Sequence, residues 1–262
     1  MSALAPLVAA KDAYIPALGL GTWALRGTEC AKAVEGALAL GYRHIDTAAM
    51  YGNEREVGQG LRAAGVQRDH VFITTKVWSS DIGAGDLQRS AEASLARLQI
   101  PIVDLLLIHW PNPSIPLKES IAALCDAKRR GLTRHIGVSN FSVELLRQAV
   151  GLSSEPIIAN QCECHPRHDQ TPLIEECNRL GVVFVSYRPL GKGALARDPL
   201  LARIAAAHGK SAAQVALRWH IQLGLVAIPK AARREHLAEN FAIFDFALSE
   251  KEMEEISAMG RR

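Results

Sequence analysis

The sequence has no apolar run of the roughly 18–20 residues that a membrane-spanning helix needs, and no membrane partner is expected. It has no block of Lys and Arg and no basic stripe interleaved with aromatics. Its formal net charge of +3 is spread over 262 residues, so no nucleic-acid partner is expected either. Met1–Ala10 lacks a basic start and reaches Lys11-Asp12 too soon for a secretory signal. Cysteines are few: Cys30, Cys125, Cys162, Cys164 and Cys177. An odd number, in a chain long enough to fold without staples, suits reduced thiols in the cytoplasm. Cys162-Glu163-Cys164-His165, with His168 close by, lacks the second ligand pair of a four-ligand zinc site, so no metal is expected. A dinucleotide-binding glycine fingerprint is missing too. Gly19-Leu20-Gly21 supplies two glycines, but Thr22-Trp23 stands where a helix should open, which argues against a doubly wound sheet.

What the chain does contain is ordinary globular composition, 48% apolar and 22% charged, and a repeating rhythm. Leu4–Leu18, with Pro6, Pro16 and a turn at Lys11-Asp12, predicts a short N-terminal hairpin. Strand patterns follow at Leu18–Trp23, Arg43–Thr47, Val71–Val77, Val103–Trp110, Thr133–Val138, Ile157–Gln161, Val182–Tyr187 and Leu225–Ile228. Between them the apolar spacing is helical, as at Leu87, Ala91, Leu95 and Leu98. Thr171 reads as a helix N-cap before Pro172, and Ser249 with Glu252 as a capping box for a terminal helix. Strands alternating with helices, without a break in composition, predict an α/β fold: a (β/α)8 TIM barrel forming a single domain over residues 1–262.

Barrels build their chemistry at the C-terminal ends of the strands. The second, third and fourth strand patterns end near Asp46, Lys76 and His109, and Tyr51 stands on the loop five residues after Asp46. A phenol alone is a poor acid at neutral pH. An ammonium against its oxygen favours phenolate and lowers the pKa, and a carboxylate can hold that ammonium in place. Asp46, Tyr51 and Lys76 thus make a tunable general acid, with His109 placed to orient a substrate oxygen. Such a set protonates a carbonyl while a hydride reaches the carbon, and a nicotinamide is the natural hydride donor. Trp23, Trp78 and Trp110, at three strand exits, are candidate walls of an apolar substrate pocket.

Gly41-Tyr42-Arg43-His44-Ile45-Asp46-Thr47-Ala48, Tyr51, Asn53-Glu54, Lys76, Leu107-Ile108-His109-Trp110-Pro111 and Gly137-Val138-Ser139-Asn140-Phe141 resemble the motifs of the aldo-keto reductase superfamily. The resemblance continues through Asn160-Gln161, Tyr187, Pro189-Leu190-Gly191, Ile228-Pro229-Lys230 and Glu239-Asn240. It is nearest to the bacterial 2,5-diketo-gluconate and methylglyoxal reductase branch. It implies a TIM barrel that binds NADP(H), with Tyr51 as the acid, Lys76 and Asp46 tuning it, and His109 orienting the carbonyl. It also implies a carboxamide site at Ser139, Asn140 and Gln161, and Tyr187 stacked on the nicotinamide. Thr22, Leu190, Gly191, Lys230, Arg233, His236, Glu239 and Asn240 would complete the cofactor site. Most such barrels are monomers, and a monomer is expected here.

Three positions depart from the pattern. Ala231 and His236 replace a Ser and an Arg that grip the adenosine 2′-phosphate, and histidine cannot supply the arginine fork. NADPH is therefore expected with weaker discrimination against NADH. Arg188 replaces a Ser after the stacking tyrosine. The chain stops at Gly260-Arg261-Arg262, where the family carries a loop over the substrate, so an open pocket for small or varied carbonyls is expected. Two alternatives remain beside carbonyl reduction. One is a Schiff-base aldolase-type barrel using Lys76, which Asp46 disfavours. The other is a non-catalytic NADP-binding structural or regulatory protein.

Overall fold

The computed structural model describes residues 5–261, so Leu4 and Arg262 lie outside the described residues. The expected hairpin forms from β1 (Leu7–Ala10) and β2 (Ala13–Pro16), paired antiparallel. Lys11 makes the turn at φ 53°. Eight strands follow: β3 (Leu20–Gly21), β4 (His44–Asp46), β5 (Phe72–Val77), β6 (Val103–Ile108), β7 (Thr133–Ser139), β8 (Ile157–Glu163), β9 (Val183–Tyr187) and β10 (Val226–Ile228). Each pairs with the next in parallel. The sheet closes where Gly19 N–H donates to the Ala227 carbonyl (2.9 Å) and Ala227 N–H to that of Ala17 (2.8 Å). The fold is a (β/α)8 barrel.

The glycines that fall short of a nucleotide fingerprint serve this seam. A Cβ on Gly21 would stand 2.7 Å from the Ile228 carbonyl oxygen, and one on Gly19 would stand 2.8 Å from the His44 ring. A side chain on Gly21 would push the first and last strands apart, and one on Gly19 would displace the His44 ring of β4.

The helices are α1 (Gly27–Leu40), α2 (Glu54–Ala63), α3 (Asp86–Leu98), α4 (Leu117–Arg129), α5 (Val143–Leu152), α6 (Thr171–Leu180), α7 (Pro199–His208), α8 (Ala212–Gln222), α9 (Arg234–Phe241) and α10 (Glu250–Ser257). The capping box at Ser249 and Glu252 forms as expected. Thr171 does not cap α6 but lies inside it, and Gln170 is the N-cap. The reason is Asp169, whose carboxylate accepts the Thr171 N–H (2.8 Å) and hydroxyl (2.6 Å). A carboxylate beyond the end takes over the cap's work and lets the helix begin one residue earlier.

Strand residues alternate between two cores. In β6, Leu106 and Ile108 pack outward against the helices, while Leu105 and Leu107 point into the barrel. There they meet Ile158, Val183, Val185, Val226 and Ile228, together with Ala10, Ala13 and Ile15 of the hairpin. The hairpin thus plugs the N-terminal end. The opposite mouth, where the strands run out, is where the candidate residues gather.

Candidate active site

Asp46 is the last residue of β4, Lys76 the fifth of β5, and His109 follows β6 directly. Tyr51 ends a 3₁₀ turn at Ala49–Tyr51. Asn53, fully buried, ties this turn to the exit of β3. Its Nδ2 donates to the Thr22 (2.8 Å) and Leu25 (3.0 Å) carbonyls, and its Oδ1 accepts from Thr47 Oγ1 (3.1 Å). Glu54 beside it is also buried, accepting from Thr75 Oγ1 (2.6 Å) and Arg97 Nε (2.7 Å). The phenol therefore hangs on a segment fixed at both flanks.

Lys76 is wholly buried, and its ammonium spends its hydrogens on Asp46 Oδ1 (2.5 Å), the Thr47 carbonyl (3.0 Å) and Tyr51 Oη (3.2 Å). The other Asp46 oxygen accepts from Gln161 Nε2 (2.7 Å). Burial, the largest single effect, pulls the Lys76 pKa down, but Asp46 and then Tyr51, through charge and hydrogen bonds together, outweigh it and the net shift is upward. Tyr51 departs from the sequence expectation. Lys76 does pull the phenol down, but burial is the larger effect and the Asp46 charge adds to it, so the net shift is upward. A desolvated phenol facing an ammonium already neutralised by a carboxylate keeps its proton. Burial, then the Lys76 charge, press His109 down to about 3, so the imidazole is neutral. Its Nδ1 is buried without a hydrogen-bond partner, and its ring sits edge-on to Tyr51 and Trp78, with centroids 5.6 and 5.2 Å away.

Asp46, Tyr51 and His109 line one cavity of about 240 Å³, with Lys76 buried behind Asp46 and Tyr51. Trp23, Trp78, Trp110 and Met50 line it, with Ser139, Asn140, Gln161, Tyr187, Arg188, Ile228 and Lys230. Trp23 and Trp110 are each more than two-fifths exposed at its rim. Ser139 Oγ donates to the Gln161 carbonyl (2.7 Å), and Tyr187 Oη to Asn140 Oδ1 (2.9 Å). Arg188 stands at φ 49° and donates to Glu163 Oε2 (2.9 Å).

Other candidates lie apart from the cavity. Thr22 is buried, its hydroxyl on the Asp46 carbonyl (3.0 Å). Leu190 and Gly191 form the turn after β9. Arg233 caps α9, and His236, Glu239 and Asn240 lie within it. Arg233 Nη2 meets His236 Nε2, and His236 Nδ1 meets Glu239 Oε2 (3.3 Å). Because a guanidinium only donates, Nε2 is the acceptor and Nδ1 carries the proton.

Met50, Ile228 and the Thr47 carbonyl are site features that sequence reasoning did not single out. Met50 adjoins Tyr51, and spacing from the acid could have found it. A backbone acceptor leaves no sequence signal. All five cysteines are buried and free of disulfides. Burial raises the Cys162 thiol to about 11 and those of Cys30, Cys164 and Cys177 to about 12, which suits packing rather than chemistry.

A closed parallel barrel with this constellation at its mouth defines a class, the barrel oxidoreductases that act on carbonyl groups. The chain belongs to the Aldo/keto reductase family, which it matches over residues 17–261. It is 42% identical to an aldo-keto reductase of Mycobacterium sp. (strain KMS), over 97% of this chain and 93% of that protein. Among solved structures it superposes with a TM-score of 0.96 on a candidate 2,5-diketo-D-gluconic acid reductase B, at 44% identity, covering 98% of this chain and 92% of that one. A Bombyx mori aldo-keto reductase in complex with NADP gives a TM-score of 0.92 at 34% identity, covering 98% and 93%.

Proposed function

We propose that this protein reduces small aldehydes and ketones to alcohols with NADPH, Tyr51 acting as the general acid. The observation that carries the reading is the Lys76 ammonium, held within hydrogen-bond reach of both Asp46 and Tyr51 at the cavity wall. The Tyr51 phenol, protonated at neutral pH, gives its proton to the carbonyl oxygen as negative charge develops there. Lys76 lies 3.2 Å from the phenol oxygen and stabilises the phenolate left behind. Asp46 keeps the ammonium charged and in place. Neutral His109 donates an N–H to the same carbonyl oxygen and fixes its approach. The nicotinamide, when bound, supplies the hydride.

The side chains present fit that cofactor. Ser139, Asn140 and Gln161 converge as donors and acceptors for a carboxamide, and Tyr187 offers a flat face on the same cavity wall. Lys230, Arg233, His236, Glu239 and Asn240, with Thr22, Leu190 and Gly191, would hold the rest of the nucleotide. An imidazole shared between Arg233 and Glu239 is a weaker phosphate ligand than an arginine fork. That supports NADPH use with relaxed discrimination against NADH.

The three tryptophans and Met50 favour carbonyls with an apolar or compact body. The similar structure of a candidate 2,5-diketo-D-gluconic acid reductase B adds keto-sugars to the panel, beside methylglyoxal and other 2-oxo-aldehydes. A Schiff-base role for Lys76 is disfavoured, since an ammonium shifted upward and bonded through every hydrogen has no lone pair to attack a carbonyl.

The test is NADPH oxidation with this panel, wild type beside Tyr51→Phe, repeated with NADH. Turnover that collapses in Tyr51→Phe while NADPH still binds supports the reading. Equal rates in the two proteins would remove Tyr51 from the mechanism. A protein that binds NADPH but reduces nothing would restore the non-catalytic alternative.

A further inference from the structure

Arg188 lines the cavity yet has no part in the proton transfer above. It follows β9 directly in the left-handed region, φ 49°, which arginine rarely adopts. The turn it opens is closed by Gly191 N–H on the Arg188 carbonyl (2.9 Å). The guanidinium lies 5.7 Å from the Tyr187 ring centroid, within cation–π range. Glu163, at the end of neighbouring β8, accepts from Arg188 Nη1 at 2.9 Å. Tyr187 in turn donates its hydroxyl to Asn140 Oδ1 (2.9 Å). Asn140, itself left-handed at φ 62°, gives its Nδ2 to the His109 carbonyl (2.9 Å) and to Ser139 Oγ (3.0 Å). Contacts therefore run without a gap from an ion pair beside the cavity to the backbone that carries the imidazole.

We propose that the Glu163–Arg188 pair is a positioning device that holds the Tyr187 ring and, through Asn140, the His109 ring in their working places. The proposal rests on the reductase reading. Disfavoured backbone persists where its surroundings over-determine it, and here the exits of β7 and β9, on either side of β8, are left-handed at residues joined by this chain of contacts. Charge points the same way. The groups that act on the Tyr51 phenol are Lys76 and Arg188, which pull it down, and Asp46, which pushes it up with burial; neutral His109 packs against its ring. Arg188 is thus a second, more distant cation favouring proton release.

The test compares Arg188→Ser, Arg188→Lys and Glu163→Gln with wild type. NADPH affinity is read by quenching of tryptophan fluorescence, independently of turnover, and kcat, KM and the pH profile by carbonyl reduction. In Arg188→Ser, kcat at saturating NADPH and carbonyl should fall about 10-fold, as a slight misplacement of reacting groups does, with carbonyl KM little changed. The alkaline limb of kcat should move to higher pH, because the active form is the protonated phenol and a cation that lowered its pKa is gone. Arg188→Lys should recover part of the loss. Glu163→Gln should weaken NADPH binding and kcat in the same direction.

If Arg188 served only as a ligand for the cofactor's phosphates, Glu163→Gln would free it, tighten NADPH binding and leave kcat intact. That result overturns the proposal. So does an Arg188→Ser variant with unchanged kcat and alkaline limb. A wild type that neither binds NADPH nor reduces any carbonyl brings down the reductase reading, and this proposal with it, before any variant is needed.

Discussion

Lys76 is a lysine with no contact to water whose charge is kept by a single carboxylate. Removing one member of such a pair strands the other. Lys76→Met should cost about 3–5 kcal/mol of stability, measured by urea unfolding. The sign with pH follows from the upward shift of Lys76. Its contribution is fully present below the ordinary lysine pKa and lost as pH rises through the higher folded value. The gap between wild type and variant should thus hold across neutral pH and narrow only in strong alkali. Tyr51 behaves in parallel. Its phenol is shifted upward and works protonated, so reduction should stay level through neutral pH and decline only on the alkaline side of the ordinary phenol value. A pH–rate profile that falls below pH 8 would contradict this. His236→Arg should restore the missing fork and lower the KM for NADPH by about 10-fold, leaving that for NADH unchanged.

The loop that carries Tyr51 is where element and chemistry meet. Asn53 satisfies two carbonyls on the β3 exit and the Thr47 hydroxyl. Asn53→Ala leaves those buried groups unpaired, at about 1–3 kcal/mol, and should lower kcat more than KM, because the acid loses its footing. Ser249→Ala, which removes the cap of α10, should cost about 1 kcal/mol with no change in kcat; unfolding and activity assays together separate the two. The strands were legible because apolar runs between turn signals mark them, and Asp46, Lys76 and His109 because they punctuate strand ends. The boundary at Thr171 was less so, since the deciding group is the Asp169 carboxylate two residues upstream. The direction of the Tyr51 shift was not legible at all. It depends on how far burial outweighs one cation, a balance of distances and solvent that residue types do not carry.

At the scale of the whole molecule the barrel has two unlike ends. Leu105 and Leu107 fill its interior against the hairpin, and Leu107→Ala should cost about 2–5 kcal/mol by opening a cavity there, with the loss read in thermal unfolding. The same plug gives the molecule a back and a front. Asp12, in the hairpin turn, is exposed, while all five native cysteines are buried. An Asp12→Cys variant would offer one readily reached thiol at the end opposite the mouth. Coupled through it to a bead, every molecule would face its opening outward, and the fixed enzyme should keep the turnover that random coupling through surface lysines would partly lose.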